Sequence, residues 1–369
     1  MHDAAQTAPQ AGVVLFHVTV DWYFCLHWLP LAQAIRGAGY DVALMTSSTD
    51  PVLVRRIEAA GLRVHSIPLS RQGMRPGEEW RSLRAILRVL RTERPVLLHA
   101  IAQKPVLYGA LAMRLGQAPA LVATLGGLGY VFTARTSRAR LLRTGLVLGY
   151  RALLRRPRVC VIVQNPDDRA QLHRTAGVAA ALIRGAGVDL TRFRPQPPPA
   201  GPLTIVLASR MLWDKGIGEF VSALRRLRRE GHVLRGVLVG KPDPDNPSAV
   251  PQAHIVCLPS YREGLPTILI EAAAAGLPLV ATDVPGCREV VREGENGLLV
   301  PPRNAEALAE ALARLAADAG LRAAYGRASR RLAEAEFGIG RVAEETLAVY
   351  DKLFAEISAA QVTPPDARR

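Results

Sequence analysis

Short aliphatic and β-branched runs alternate with stretches of helical period along nearly the whole chain, and this rhythm restricts the fold more than any other feature. The run at 13–18 precedes a helical stretch at 28–38 and a second run at 41–45, a β-α-β opening. Runs at 64–68, 96–100, 121–125 and 160–164 follow, separated by helical segments at 80–91, 105–115 and 166–175. Strands spaced by helices of about ten residues predict an α/β fold with a parallel, doubly wound sheet. A second alternation runs through strands at 203–208, 236–240, 254–259 and 279–282, with helices at 218–230, 266–275, 305–317 and 318–337.

Between the two series the chain reads FRPQPPPAG over 193–201, with Pro195, Pro197, Pro198, Pro199 and Gly201. Proline at that density favours a stiff, extended connector. With 369 residues, 49% of them hydrophobic, there is material for two domains of roughly 150 residues. The expected organisation is a first domain over 12–195, a second over 196–340, a helix over 341–360 and a disordered tail at 361–369. The rhythm breaks once. Residues 236–240 and 254–258 both look like buried parallel strands, yet only KPDPDNPSAVPQA joins them, with no apolar period for a crossover helix. Either a β-α unit of about thirty residues is missing near 241–253 or the two strands are not neighbours.

Charge is distributed unevenly. Residues 1–195 hold 26 basic and 11 acidic side chains, whereas 196–369 hold 21 of each. From 94 to 166 there are eleven Lys or Arg and no carboxylate, a strongly positive stretch suited to anionic lipid, lipid diphosphate or nucleic acid. Four cysteines without paired spacing fit neither a disulfide framework nor a zinc site and point to a reducing compartment. No leader-like apolar core and no run of about 18 apolar residues is present, so neither export nor a membrane span is expected.

Two constellations carry chemistry. In YREGLPTILIEA, Glu263 and Glu271 straddle a turn at Gly264-Leu265-Pro266 that opens a helix, and free amides at such a terminus bind phosphate. The alternative for Glu271 is a solvated mid-helix carboxylate. In SRMLWDKG, Arg210 and Lys215 follow a strand directly, where ligands of open α/β sheets bind, and form a two-cation clamp for a departing diphosphate. Their alternative is as loop charges pairing with Asp214 or Glu219.

With Pro259-Ser260-Tyr261-Arg262-Glu263-Gly264, Glu271, and Gly286…Glu289-Val290-Val291…Gly294…Asn296-Gly297-Leu298-Leu299-Val300, these motifs resemble the donor site of retaining, family-four glycosyltransferases of the GT-B fold. The resemblance spans about residues 13–355 and is most specific over 205–300. RMLWDKGIGEF and PDPDNP look closest to bacterial enzymes that add N-acetylhexosamines to undecaprenyl-diphosphate-linked glycans. It implies two Rossmann-like domains facing a cleft, a C-terminal helix packing back on the first domain, and retention at the anomeric carbon. Carried over residue by residue, it makes Arg210 and Lys215 the diphosphate clamp, Glu263 a contact to donor-sugar hydroxyls and Glu271 the ribose partner. The Gly264 and Leu265 amides, ahead of Pro266, would hold the distal phosphate. It implies a UDP-sugar as donor substrate, no metal and no further cofactor.

In the first domain the resemblance places the acceptor near Lys104, His99 and the 126–132 stretch containing Gly127. A family histidine falls within 125–129, where this chain has none, and His17, His27 and His99 read better as structural. The stretch 135–158 sets Arg138, Arg140, Arg143, Arg151 and Arg155 around Leu141, Leu142, Leu146, Leu148 and Leu153, the pattern of a basic helix lying on an anionic membrane surface or of a domain-surface helix. The expected partners are a nucleotide sugar, an undecaprenyl-diphosphate-linked acceptor and the inner face of the plasma membrane, with a cytoplasmic, peripheral location. The alternatives are a non-catalytic relative with an incomplete donor pocket and a nucleic-acid binder. The latter is disfavoured because aromatics are only 5% and none interleave with the arginines. A nicotinamide enzyme is excluded by the missing GxGxxG after the first strand.

Overall fold

The structure is a computed structural model that describes residues 12–70, 75–129, 132, 136–240 and 252–362. The PDPDNP string, Tyr130, Val131 and the tail from 363 lie outside them, as does the side chain of Arg138. The chain divides into two compact units: Met1–Val163 with Asp168–Ile183 and Ala343–Arg369, and Gln164–Asp167 with Arg184–Val342.

The first unit carries β1 (Val13–Val20), α1 (Asp21–His27), α2 (Leu29–Gly37), β2 (Asp41–Ser47), α3 (Pro51–Ala59), β3 (Arg63–Ser66) and α4 (Pro76–Glu93). It continues through β4 (Leu97–Ile101), α5 (Gln103–Arg114), β5 (Leu121–Leu125), α6 (Ser137–Leu153), β6 (Val159–Val163), α7 (Pro166–Ala176) and β7 (Ala180–Leu182). Its sheet runs β3-β2-β1-β4-β5-β6-β7 with every pair parallel. β4 and β5 are buried at every position because helices cover both faces, which is why they read as unbroken apolar runs.

In the second unit β8 (Leu203–Ala208), α8 (Ile217–Arg229), β9 (Leu234–Val239), β10 (Ile255–Leu258), α9 (Thr267–Ala274), β11 (Leu279–Thr282), α10 (Pro285–Arg288) and β12 (Gly297–Val300) lead into α11 (Ala305–Ala317) and α12 (Ala319–Leu332). The sheet runs β12-β11-β10-β8-β9, again all parallel. Alternate strand residues feed two cores. Val206, Val256, Leu258 and Ala281 face one side, while Ile205, Leu207, Ile255, Cys257 and Val280 face the other.

This order answers the broken rhythm: β9 and β10 are not neighbours, because β8 lies between them. Outward from the central pair, β9-β8-β10-β11-β12 repeats β2-β1-β4-β5-β6 of the first unit, and among the described residues nothing repeats β3. Among the described residues β9 therefore ends the sheet. Its burial is correspondingly loose, with Leu238 42% exposed where β2 is buried at five consecutive positions.

The last helix, α13 (Ile339–Val362), groups with the first unit from Ala343 onward. Its fixing point is Tyr350, fully buried, whose hydroxyl lies 2.6 Å from His99 Nδ1, while Thr124 Oγ1 lies 2.8 Å from His99 Nε2. Phe16 stacks on the imidazole at 5.0 Å, and Tyr40 stacks on Phe354 at 6.2 Å. Among the described residues no helix is long and apolar enough to cross a membrane.

Tyr350→Phe would strand the buried His99 Nδ1 at almost no change in volume. Urea unfolding is expected to show a loss of about 1–3 kcal/mol, against less than about 0.5 kcal/mol for the exposed change Arg140→Gln.

Candidate functional site

In parallel sheets every strand-to-helix turn emerges at the carboxyl ends of the strands, so the loops after β8, β10 and β11 share one edge. Two glycines let them close together. A Cβ on Gly216, whose φ is 70°, would lie 2.1 Å from the Pro259 carbonyl oxygen. One on Gly286 would lie 2.4 Å from the Gly264 carbonyl oxygen. The loop 259–266 is thus gripped between the turn Trp213–Lys215 and the start of α10, and the Tyr261 amide donates to the Asp214 carbonyl at 2.8 Å.

This packing joins residues 48 positions apart: Lys215 Nζ donates to Glu263 Oε1 at 2.6 Å, with both side chains 13% exposed. The loop-charge alternative for Lys215, pairing with Asp214 or Glu219, is replaced by this pair. Arg210 is exposed and makes no ion pair among the described residues, and Glu219 instead accepts from the Tyr261 hydroxyl at 2.6 Å. Arg303 lies over the Tyr261 ring at 4.7 Å.

α9 begins at Thr267, with Pro266 as its N-cap and no side chain capping it. Pro266 therefore stands one place before the first helical residue, and its fixed φ still sets the entry. The Gly264 and Leu265 amides donate to no group among the described residues. The Gly264 carbonyl accepts from Asn165 Nδ2 at 2.8 Å, so the peptide is held from its acceptor side while the amides remain available. Two further polar atoms at this edge, Ser260 Oγ and Glu219 Oε2, are buried without a hydrogen-bond partner.

Glu271 lies just over one turn into α9 and is half-buried. Desolvation pushes its carboxyl up to about 7, with Arg192 opposing the shift, so it is not a solvated mid-helix carboxylate. A carboxyl poised there accepts or donates toward a hydroxyl near neutral pH. Among the described residues no group of three or more His, Cys, Asp or Glu side chains is placed to hold a metal.

The first-unit candidates fare differently. His99 is a core residue: it is 1% exposed, both ring nitrogens are engaged, and burial lowers its pKa to about 3, which removes it from the acceptor-side set. His17 is fully buried with its pKa likewise lowered to about 3. Lys104, on the first turn of α5, donates to Glu79 at 2.7 Å and to the Ser70 carbonyl at 2.9 Å, and Tyr108 shares the same carboxylate. Gly127 lies in the loop following β5, with φ 148°, beside a Leu128 carbonyl that accepts from Gln103.

α6 does not present its leucines as one face. Leu146 and Leu153 pack on the core with Tyr150, whereas Leu141, Leu142 and Leu148 are 76%, 47% and 59% exposed. Arg140, Arg151 and Arg155 are exposed and Arg143 is half-buried. Asn165, Tyr261 and Glu219 were not singled out by sequence reasoning as site residues. Their one legible signal is position, directly after a strand or in the first turn of a helix.

Models of two families match the chain, "Glycosyl transferase 4-like" over residues 13–164 and "Glycosyl transferases group 1" over residues 241–332. The chain belongs to these glycosyltransferases. The N,N'-diacetylbacillosaminyl-diphospho-undecaprenol alpha-1,3-N-acetylgalactosaminyltransferase of Campylobacter jejuni is 23% identical, over 89% of this chain and 96% of that one. A sucrose-phosphate synthase from Thermosynechococcus elongatus superposes with a TM-score of 0.74 at 22% identity, covering 93% of this chain and 99% of that one. Anabaena HepE in complex with UDP and glucose gives 0.72 at 16% identity, covering 92% and 99%. These likenesses establish the GT-B fold for both Rossmann-like units.

The Glu271 carboxyl keeps in the folded glycosyltransferase a proton that the unfolded chain loses at lower pH. Stability from this group is therefore full below the ordinary glutamate range and lost as pH rises through about 7. Glu271→Gln is expected to raise unfolding free energy by about 1–2 kcal/mol near pH 8 and by almost nothing near pH 4, read by urea denaturation at the two pH values.

Proposed function

We propose that this glycosyltransferase moves an N-acetylhexosamine from a UDP-sugar to a lipid-linked saccharide during assembly of a bacterial polysaccharide or surface glycan. The observation that carries the reading is the meeting of Lys215, Glu263 and the available Gly264 and Leu265 amides on one loop edge. Two relatives support its finer parts. The Campylobacter relative is named for an undecaprenol-diphosphate acceptor and N-acetylgalactosamine, and the Anabaena structure holds UDP.

On this reading the Lys215–Glu263 pair has two states. In the empty site it compensates a largely buried lysine that would be costly if left alone. With donor present, the ammonium turns to the diphosphate and releases Glu263 to accept sugar hydroxyls. Arg210 supplies the second cation, the Gly264 and Leu265 amides take the distal phosphate, and Glu271 accepts from the ribose. The bond from the anomeric carbon to the diphosphate oxygen breaks as the acceptor oxygen bonds to the same face, the acceptor hydroxyl's proton passes to the departing phosphate oxygen, and the diphosphate leaves with its remaining charge met by these groups. Lys104 and Gly127 are the acceptor-side contacts of this proposal, and the membrane contact is the exposed Leu141, Leu142 and Leu148 beside Arg140 and Arg151.

One observation favours a second reading, a relative with a weakened donor pocket: the second unit has no described counterpart of β3. Thermal-shift screening with uridine and guanosine diphosphate sugars separates the two. The transferase reading expects a saturable rise in Tm with one uridine diphosphate sugar and none with its guanosine analogue. Lys215→Ala and Glu263→Ala are each expected to lower transfer by about a hundredfold or more while the protein remains folded. No shift with any nucleotide sugar, together with no transfer by the parent protein, establishes the second reading instead. In co-sedimentation with phosphatidylglycerol vesicles, Leu141→Glu with Leu148→Glu is expected to reduce the bound fraction several-fold.

A further inference from the structure

The opposite edge of the first unit's sheet, where chains enter the strands, holds a different feature. The segments that lead into β4, β5 and β6 lie side by side because those strands are consecutive neighbours in the sheet. They border an open depression of about 780 Å³ whose lining includes the exposed Arg91 and Arg94 and the half-buried Arg158, together with Gln117, Met113 and Pro119. None of the three arginines forms a salt bridge among the described residues. Arg91 donates to Gln117 Oε1 at 3.1 Å, a neutral partner, and the guanidinium groups of Arg94 and Arg158 make no hydrogen bond there. The preceding carboxylate in the chain, Glu93, is taken by Arg63 and His65. From 94 to 166 the sequence offers no acidic residue, so the segments that supply most of this lining bring no carboxylate of their own.

Backbone geometry points the same way. Arg94 and Arg158 adopt φ of 46° and 63°, two of only four non-glycine residues with positive φ among those described. Glycine would occupy either place without strain, and an arginine adds there nothing but its side chain. Three arginines lining one depression, with no carboxylate partner among the described residues, match the charge and the fork geometry of a phosphate.

We infer that this depression is a phosphate-binding site, taking a phosphate ester either as a soluble metabolite or as the head group of an anionic lipid. It is separate from the donor residues of the second unit and does not rest on the transferase reading. The ester's oxygens bond to Arg91, Arg94 and Arg158.

The test compares the full chain with the double variant Arg94→Gly/Arg158→Gly, which removes two charges while easing the backbone, so its Tm without phosphate is expected to equal or exceed that of the parent. Inorganic phosphate and sn-glycerol 3-phosphate are titrated by thermal shift at constant ionic strength. The same proteins are then sedimented with phosphatidylcholine vesicles with and without phosphatidylglycerol. The parent is expected to show saturable stabilisation, and the variant about tenfold weaker binding. Arg91→Met, on regular helical backbone, is expected to weaken binding about threefold and gives an independent reading if the double variant fails to fold. The phosphate response that depends on the depression persists in Arg210→Ala/Lys215→Ala, which removes anion binding by the second unit. Loss of phosphatidylglycerol-dependent sedimentation in the Arg91, Arg94 and Arg158 variants assigns the lipid head group, and loss confined to the soluble titrations assigns a metabolite. Equal binding by parent and variants, or no saturable response to any of the probes, overturns the site.

Discussion

Parallel pairing is the constraint on which the rest of the molecule depends. Two parallel strands cannot be joined by a tight turn, so every connection must climb over a face of the sheet, and helices are the economical way to satisfy its backbone. Both faces are then covered, strand residues become apolar at every position, and all strand-to-helix turns emerge together at one edge. In the second unit that edge gathers the turns after β8, β10 and β11, and the two bare backbones at Gly216 and Gly286 let them approach within van der Waals contact. Lys215 and Glu263 owe their meeting to this geometry, since α8, β9 and β10 separate their loops in the chain.

Electrostatics at that edge is balanced rather than merely positive. A lysine and a glutamate, each largely shielded from water, neutralise one another, while Glu271 one turn along α9 is held partly protonated by desolvation. On the proposed function, an arriving diphosphate would meet one exposed cation, one cation already paired, and amides with no other partner among the described residues. On that proposal, exchange of the lysine from carboxylate to phosphate would replace one short charge-assisted bond with another and keep the site compensated in both states. The first unit shows the contrary arrangement, in which arginines at strand entrances are left without carboxylates.

Much of this was legible beforehand. The strands over 121–125, 203–208 and 279–282 and the helix over 305–317 stand where their apolar runs and caps placed them, because buried parallel strands and a helix capped by Asn304 carry strong local signals. α3 and β7 are not among the expected elements: α3 buries only Leu53 and Ile57, and β7 is three residues long. The donor motifs were visible as spacing and family resemblance. The burial of Glu271, the pairing of Glu219 with Tyr261 and the hold of Asn165 on Gly264 were not, because each depends on which neighbour the fold supplies. His99 illustrates the limit most plainly. Its partner Tyr350 is 251 residues away, and no local pattern announces that a C-terminal helix will fill the other side of its ring.

By itself the sequence determined the class of fold, the two-part organisation and the residue types available for diphosphate chemistry, since these follow from periodicity, composition and local turn geometry. Tertiary structure alone decided that β8 separates β9 from β10, that α6 splits its leucines between core and solvent, and that Lys215 faces Glu263 rather than Asp214 or Glu219. The physical reason is range. Backbone preference and hydrophobic period act over a few residues, whereas strand order, burial and ion pairing are settled by which distant segments compete for the same space once the core closes.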